Sequence, residues 1–221
     1  YVPYFFAEAC DITPCEVIFK DQNGTELGRI ETYEGATLAE IPYTEANLPA
    51  IEEGSKFRGW YYNSGKKVTV GDVINGNTTI QALVTPIETA TVGSVQTYPL
   101  NNSIFYPEDH ETIEIAGGSF HDGTHGWHFA ANGTIKVQVA GNAVVVVTMC
   151  TYSESGEVVV TDAAGVELGR DSVIKNETAD GATASYRYAG EPTTLTITMT
   201  EKAYIHKVVV YNVLNCVEKD E

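Results

Sequence analysis

At 221 residues, 43% of them hydrophobic, the chain is long enough for one large β domain or two small ones, and its composition is that of a globular protein. A formal charge of −17, with no Lys/Arg cluster to offset it, repels phosphate and argues against nucleic acid and anionic membrane surfaces as partners. No apolar run reaches the roughly 18 residues of a bilayer span, so membrane insertion is not expected.

The chain opens at YVPYFFAEAC without a signal peptide and reads as a mature or excised fragment, with residues 1–13 as an N-terminal extension. From there, β-branched and aromatic residues alternate with polar ones between Asn-Gly, Gly-Asn and Asp-Gly turns, the pattern of strands and hairpins. Strands are expected at CEVIFKD (15–21), ELGRIETYEG after the Asn23-Gly24 turn, KFRGWYY (56–62) and TTIQALVT (78–85). The one helix expected, within 44–54, is short because Pro49 interrupts it. An extended Pro/Thr/Gly stretch at 86–94 marks a domain boundary, separating a module at 14–88 from a domain at 94–216.

Beyond that stretch the sequence predicts eight or nine strands at 8–14-residue spacing, which fits a jelly-roll-like β-sandwich. TLTITMT is two-faced, with Leu195, Ile197 and Met199 inward. AVVVV is apolar on both faces and predicts a central strand covered on each side. The fold class is therefore mainly β, a small β-grasp-like module followed by a β-sandwich. Cys10, Cys15, Cys150 and Cys216 lack zinc-finger spacing. Cys10 with Cys15 and Cys150 with Cys216 could form bridges, or Cys150 is a buried free thiol.

The segments VIFKDQNG, EGATLAEIP, GSKFRGWYYNSGK and NTTIQALV resemble, over about residues 14–85, the Listeria–Bacteroides (internalin B-type) surface repeat; Phe57, Gly59, Trp60 and Tyr61 are the most specific part. The resemblance implies a spacer or adhesion module strung along an extracellular bacterial protein. Trp60 is expected in the core, since so small a module has few other ways to bury area. The stretch from HGWHFAANGTIKVQV to IHKVVVYNV resembles β-sandwich modules appended to bacterial polysaccharide-degrading or polysaccharide-binding proteins. That resemblance implies carbohydrate binding.

The chemistry concentrates in SFHDGTHGWHF (119–129), which holds three of the five histidines. His121, His125 and His128 have helical spacing, but Gly123 and Gly126 argue against a helix, and in a looped chain the rings are expected to diverge. No transition-metal site and no cofactor are expected. Calcium is the better candidate ion, through Asp109 and Asp122, although no calcium-loop spacing supports it. No nucleophile elbow, metalloprotease motif or nucleotide loop occurs, so no catalytic residues and no enzyme activity are expected. Sugar sites pair aromatic faces with polar donors and acceptors on loops, and this composition fits Trp127, His125, His121, Asp122, Tyr152 and Arg187.

Whether Trp127 is platform or core depends on one turn. If Asn132-Gly133 form a two-residue hairpin loop, Trp127 faces Gln138 and solvent; one more loop residue sends it inward and His128 outward. The expected function is extracellular, non-catalytic binding of a plant or dietary polysaccharide such as starch, xylan or pectin, alongside other modules of a larger parent. The alternative is a pair of spacer or adhesion modules without glycan binding.

Overall fold

The computed structural model describes residues 12–150, 156–172 and 181–214. It is almost entirely β, and the chain divides into two compact units, Tyr1–Ile87 and Glu88–Glu221.

In the first unit, β1 (Pro14–Lys20), β2 (Glu26–Tyr33), β3 (Ser55–Tyr62) and β4 (Thr78–Pro86) form a sheet of order β2-β1-β4-β3. β1 and β4 pair in parallel while the outer pairs are antiparallel, a β-grasp-like arrangement. Alternation sends Cys15, Val17 and Phe19 of β1 inward, where they meet Ile80, Leu38, Ile74 and Trp60. Trp60 is 4% exposed, donates its indole N–H to the Tyr43 carbonyl at 2.9 Å, and packs edge-on against Phe19 and Phe57. A bulge between Phe57 and Gly59 turns Arg58 into the structure, where its guanidinium donates to Thr85 Oγ1 and the Pro86 carbonyl. The helix expected at 44–54 shrinks to a 3-10 turn, Glu45–Asn47. Leu48 is already extended (φ −82°, ψ 153°), as a residue preceding proline prefers.

Nine strands of the second unit are described: β5 (Val95–Tyr98), β6 (Ile113–Asp122), β7 (Gly126–Val139), β8 (Ala143–Cys150), β9 (Glu157–Thr161), β10 (Glu167–Ser172), β11 (Ala182–Tyr188), β12 (Thr193–Met199) and β13 (Ala203–Asn212). One layer runs β10-β9-β12-β7 with β6 beyond it; the other runs β5-β13-β8-β11. Between them lies a sandwich core. Ile135, Val137, Leu195, Ile197, Met199, Val158 and Val160 enter it from the first layer, and Val145, Val147, Met149, Val208 and Val210 from the second. β8 is central, between β13 and β11, but only one of its faces is sealed. Val145 and Val147 are fully buried, whereas Val144, Val146 and Thr148 on the other face stay half-buried.

The long strand β7 differs from the hairpin expected around Asn132-Gly133. It does not turn there. Residues 134–139 pair with β12, residues 127–129 pair with β13, and β6 runs alongside both halves. Asn132 takes a left-handed conformation (φ 65°) inside the strand, so the residue pair that suits a tight hairpin makes an irregularity in a continuous strand instead. Phe129 is consequently fully buried, and Gly118 across from it has no room for a side chain. A Cβ there would sit 2.5 Å from the Phe129 ring.

Candidate functional site

The true hairpin is one element earlier. Asp122 pairs with Gly126, closing a tight tip between β6 and β7. Asp122 Oδ1 accepts the backbone N–H groups of Thr124 (2.8 Å) and His125 (2.6 Å), the side-chain turn that aspartate favours. Gly126 has φ 80° and is packed so closely that an added Cβ would lie 2.2 Å from the Ile205 carbonyl oxygen.

This turn gathers side chains that an extended chain would separate. His125 Nδ1 lies 2.8 Å from Asp122 Oδ2, and His121 Nε2 lies 3.4 Å from the same oxygen. The His121 and His125 ring centroids are 5.9 Å apart. The expectation that the rings diverge is thus corrected: loss of helical geometry does not separate them, because the hairpin folds one strand end back on the other. Hydrogen bonds from the His125 ring and amide, then from the Thr124 amide, and last the charge of His125 hold the Asp122 carboxyl down to about 2, so it is ionised at any ordinary pH. Asp109 sits in a separate 3-10 turn, Pro107–Asp109, outside this group of three.

Tyr204 of β13 lies beneath the cluster. Its ring is 5.2 Å from that of His121, 5.6 Å from His125 and 5.3 Å from His128, and the Lys202 ammonium stands 5.6 Å from its centroid. His128 is held below its ordinary pKa, first by burial and then by the positive charges of Lys202 and His121. On the same strand His206 is buried, its Nε2 3.1 Å from the Cys150 sulfur. Four of the chain's five histidines therefore surround Tyr204 and Cys150.

Cys15 and Cys150 are free, buried thiols; Cys10 and Cys216 lie outside the described residues. Burial, and then the negative Asp122, push the Cys150 thiol up to about 11. Native-state alkylation with iodoacetamide at pH 8 is accordingly expected to leave Cys150 unmodified, read by peptide mass spectrometry, with full modification after unfolding. Rapid native labelling would show that its strand is open.

The other expected site residues scatter. Trp127 pairs with Phe120 and Ile205, is half-buried, and packs on the core beside Phe129, their rings 6.4 Å apart. Tyr152 lies outside the described residues. Arg187 is exposed on the outward face of the second layer, on β11, with partners different from those of the hairpin.

That outward face carries a residue the sequence reading passed over. Cross-strand pairing aligns Val95 (β5), Tyr211 (β13), Val144 (β8) and Arg187 (β11) in one row. Tyr211 is 43% exposed. The next row aligns Thr97, Val209, Val146 and Ser185, and beyond it Lys207, Thr148 and Thr183. At roughly 4.8 Å per strand the first row spans about 14 Å. A ribbon of valine and tyrosine is therefore edged by hydroxyls and two cations. The signal was present in KVVVYN: if Val208 and Val210 face the core, Tyr211 faces out.

No protein-family model and no curated protein matches the chain. Among solved structures it is similar to the C-terminal CBM6 of LamC, a laminarinase from Zobellia galactanivorans, at 10% identity, covering 53% of this chain and 99% of that one with a TM-score of 0.40. It is also similar to CBM35 from Cellvibrio japonicus Abf62 (9% identity, 55% and 95% covered, TM-score 0.40). A third is the carbohydrate-binding module CBM6cm-2 from Cellvibrio mixtus lichenase 5A, in complex with cellotriose (9% identity, 55% and 98% covered, TM-score 0.36). Likeness this distant does not transfer a ligand.

Proposed function

We propose that the second unit binds a polysaccharide without acting on it chemically, on the outward face of its β5-β13-β8-β11 layer. The observation that carries this reading is the row Val95–Tyr211–Val144–Arg187, with its exposed aromatic ring. A pyranose offers an apolar C–H face and a rim of hydroxyls. Tyr211 and Val144 supply the complementary apolar floor, while Arg187, Ser185, Lys207 and Thr97 supply donors and acceptors around it. A row about 14 Å long suits two or three sugar rings side by side. A single shallow face of this kind gives weak affinity, which repetition along a parent protein strengthens. The ligand class is a plant or dietary polysaccharide such as starch, xylan or pectin. The setting is extracellular, with the β-grasp-like unit serving as a spacer between modules of a bacterial surface or secreted protein.

Affinity electrophoresis against a panel of these polysaccharides tests the reading. Retardation on at least one is expected, with no release of reducing ends. Tyr211→Ala should weaken retention at least about tenfold while leaving the melting temperature close to wild type, and Arg187→Ala should weaken it by a smaller factor, as truncation of a central anchor outweighs that of a neighbour. A folded protein that no polysaccharide retards would favour a pure spacer. Reducing-end release would make the protein an enzyme.

A further inference from the structure

We infer that the tip of the β6–β7 hairpin is a site for a divalent transition-metal ion of the zinc class, held by His121, Asp122 and His125. This inference is independent of the proposed glycan face and uses none of its residues.

Among the described residues, these three form a group in which one ligand atom from each lies within 4.8 Å of the others. Around a tetrahedral zinc ion with bonds of about 2.0–2.2 Å, neighbouring donor atoms stand about 3.3–3.5 Å apart. Both His–Asp separations, 2.8 and 3.4 Å, are already close to that value, so seating an ion needs small side-chain rotations rather than backbone movement. The carboxylate is fixed in place before any ion arrives. Its Oδ1 accepts two backbone amides and lies 3.0 Å from His125 Nδ1, while its Oδ2 faces both imidazoles, at 2.8 Å from His125 and 3.4 Å from His121. Both rings lean on Tyr204, whose buried aromatic face limits the rotamers they can take. Fixing ligand orientation from behind is what outer residues do at metal sites.

Donor chemistry decides the class of ion. Two imidazole nitrogens and one carboxylate oxygen suit zinc, cobalt, nickel or copper; calcium and magnesium require six or more oxygens, which this tip does not offer. His121 and Asp122 have side chains 47% and 42% exposed, so an ion seated here keeps coordination positions open to water. Three protein ligands with an open position are the arrangement of a zinc site that exchanges ligands rather than a closed structural one.

Calorimetric titration of the tag-free full chain with ZnCl₂, with CaCl₂ in parallel, tests the inference. The expected result is saturable 1:1 zinc binding, no saturable calcium binding at the same concentrations, and visible d–d absorption when CoCl₂ replaces zinc. His121→Ala/His125→Ala should lower zinc affinity by more than about 100-fold, beyond what loss of an outer-shell partner costs. The His125 side chain is only 14% exposed and rests on Tyr204, so the double variant is expected to lose some metal-free stability, and the affinities are compared at a temperature where both proteins are folded. If the double variant does not fold, His121→Ala alone serves, because that ring is half exposed. Absence of saturable zinc binding would overturn the inference. So would zinc binding of unchanged affinity in the variant, which would place the ion on the cysteines or elsewhere.

Discussion

Gly126→Ala is expected to destabilise the second unit by about 4 kcal/mol, on the order of the largest single-substitution effects. Two costs combine. The residue sits at φ 80°, where any side chain adds roughly 1–2 kcal/mol of strain. Its new Cβ would also lie 2.2 Å from the Ile205 carbonyl oxygen and 2.9 Å from the His206 Cα, both backbone atoms that cannot swing aside. Relief requires pulling β7 away from β13 where the two sandwich layers join. Gly24→Ala makes the control, since Gly24 has nearly the same φ of 85° and nothing within 4 Å of an added Cβ. Urea unfolding should separate the two variants, with Gly24→Ala losing only the strain component. If they lose the same amount, close packing at the hairpin tip is not what demands glycine.

Trp60→Ala should abolish the first unit as a folded module at physiological temperature. Truncating a buried tryptophan costs about 3–5 kcal/mol, and a unit of this size holds only about 4–11 kcal/mol in all. Trp60 also anchors the packing of three aromatic neighbours: it contacts Phe19, Tyr43 and Phe57 directly, and Phe19 in turn contacts Tyr43. The truncated side chain further leaves the Tyr43 carbonyl without its indole donor. The readout is built in. The chain has two tryptophans, so in this variant fluorescence reports Trp127 and the second unit alone. Hydrogen exchange should show protection lost across β1–β4 while the Trp127 emission transition stays where it was. Retained protection in β1 would place the core of that unit elsewhere.

Much of the fold was readable because burial on one face of a strand imposes a period of two. Leu195, Ile197 and Met199 point inward as their alternation with threonine requires, and β1–β4 lie within a few residues of their apolar runs. What could not be read was the choice between two turn signals only a few residues apart, Asp122-Gly123 and Asn132-Gly133. Asparagine tolerates the left-handed region equally well in a hairpin loop and in a strand irregularity, so its presence marks a backbone conformation and not a reversal of direction. Only pairing with β12 and β13, residues more than sixty positions away, decides that the chain runs straight through Asn132. The inward course of Trp127 and the convergence of His121 with His125 both follow from that decision. Tyr211 is the opposite case, legible from alternation alone and overlooked because a tyrosine near a strand end resembles any core aromatic.

The double membership of β7 has a mechanical consequence. Its 134–139 half is hydrogen-bonded into one layer and its 127–129 half into the other, so neither layer can peel away without breaking a strand that belongs to both. In most sandwiches the layers adhere through side chains alone. Here the main chain stitches them together, and the unit should come apart in one step, with no half-open state presenting a bare sheet edge to a neighbouring molecule.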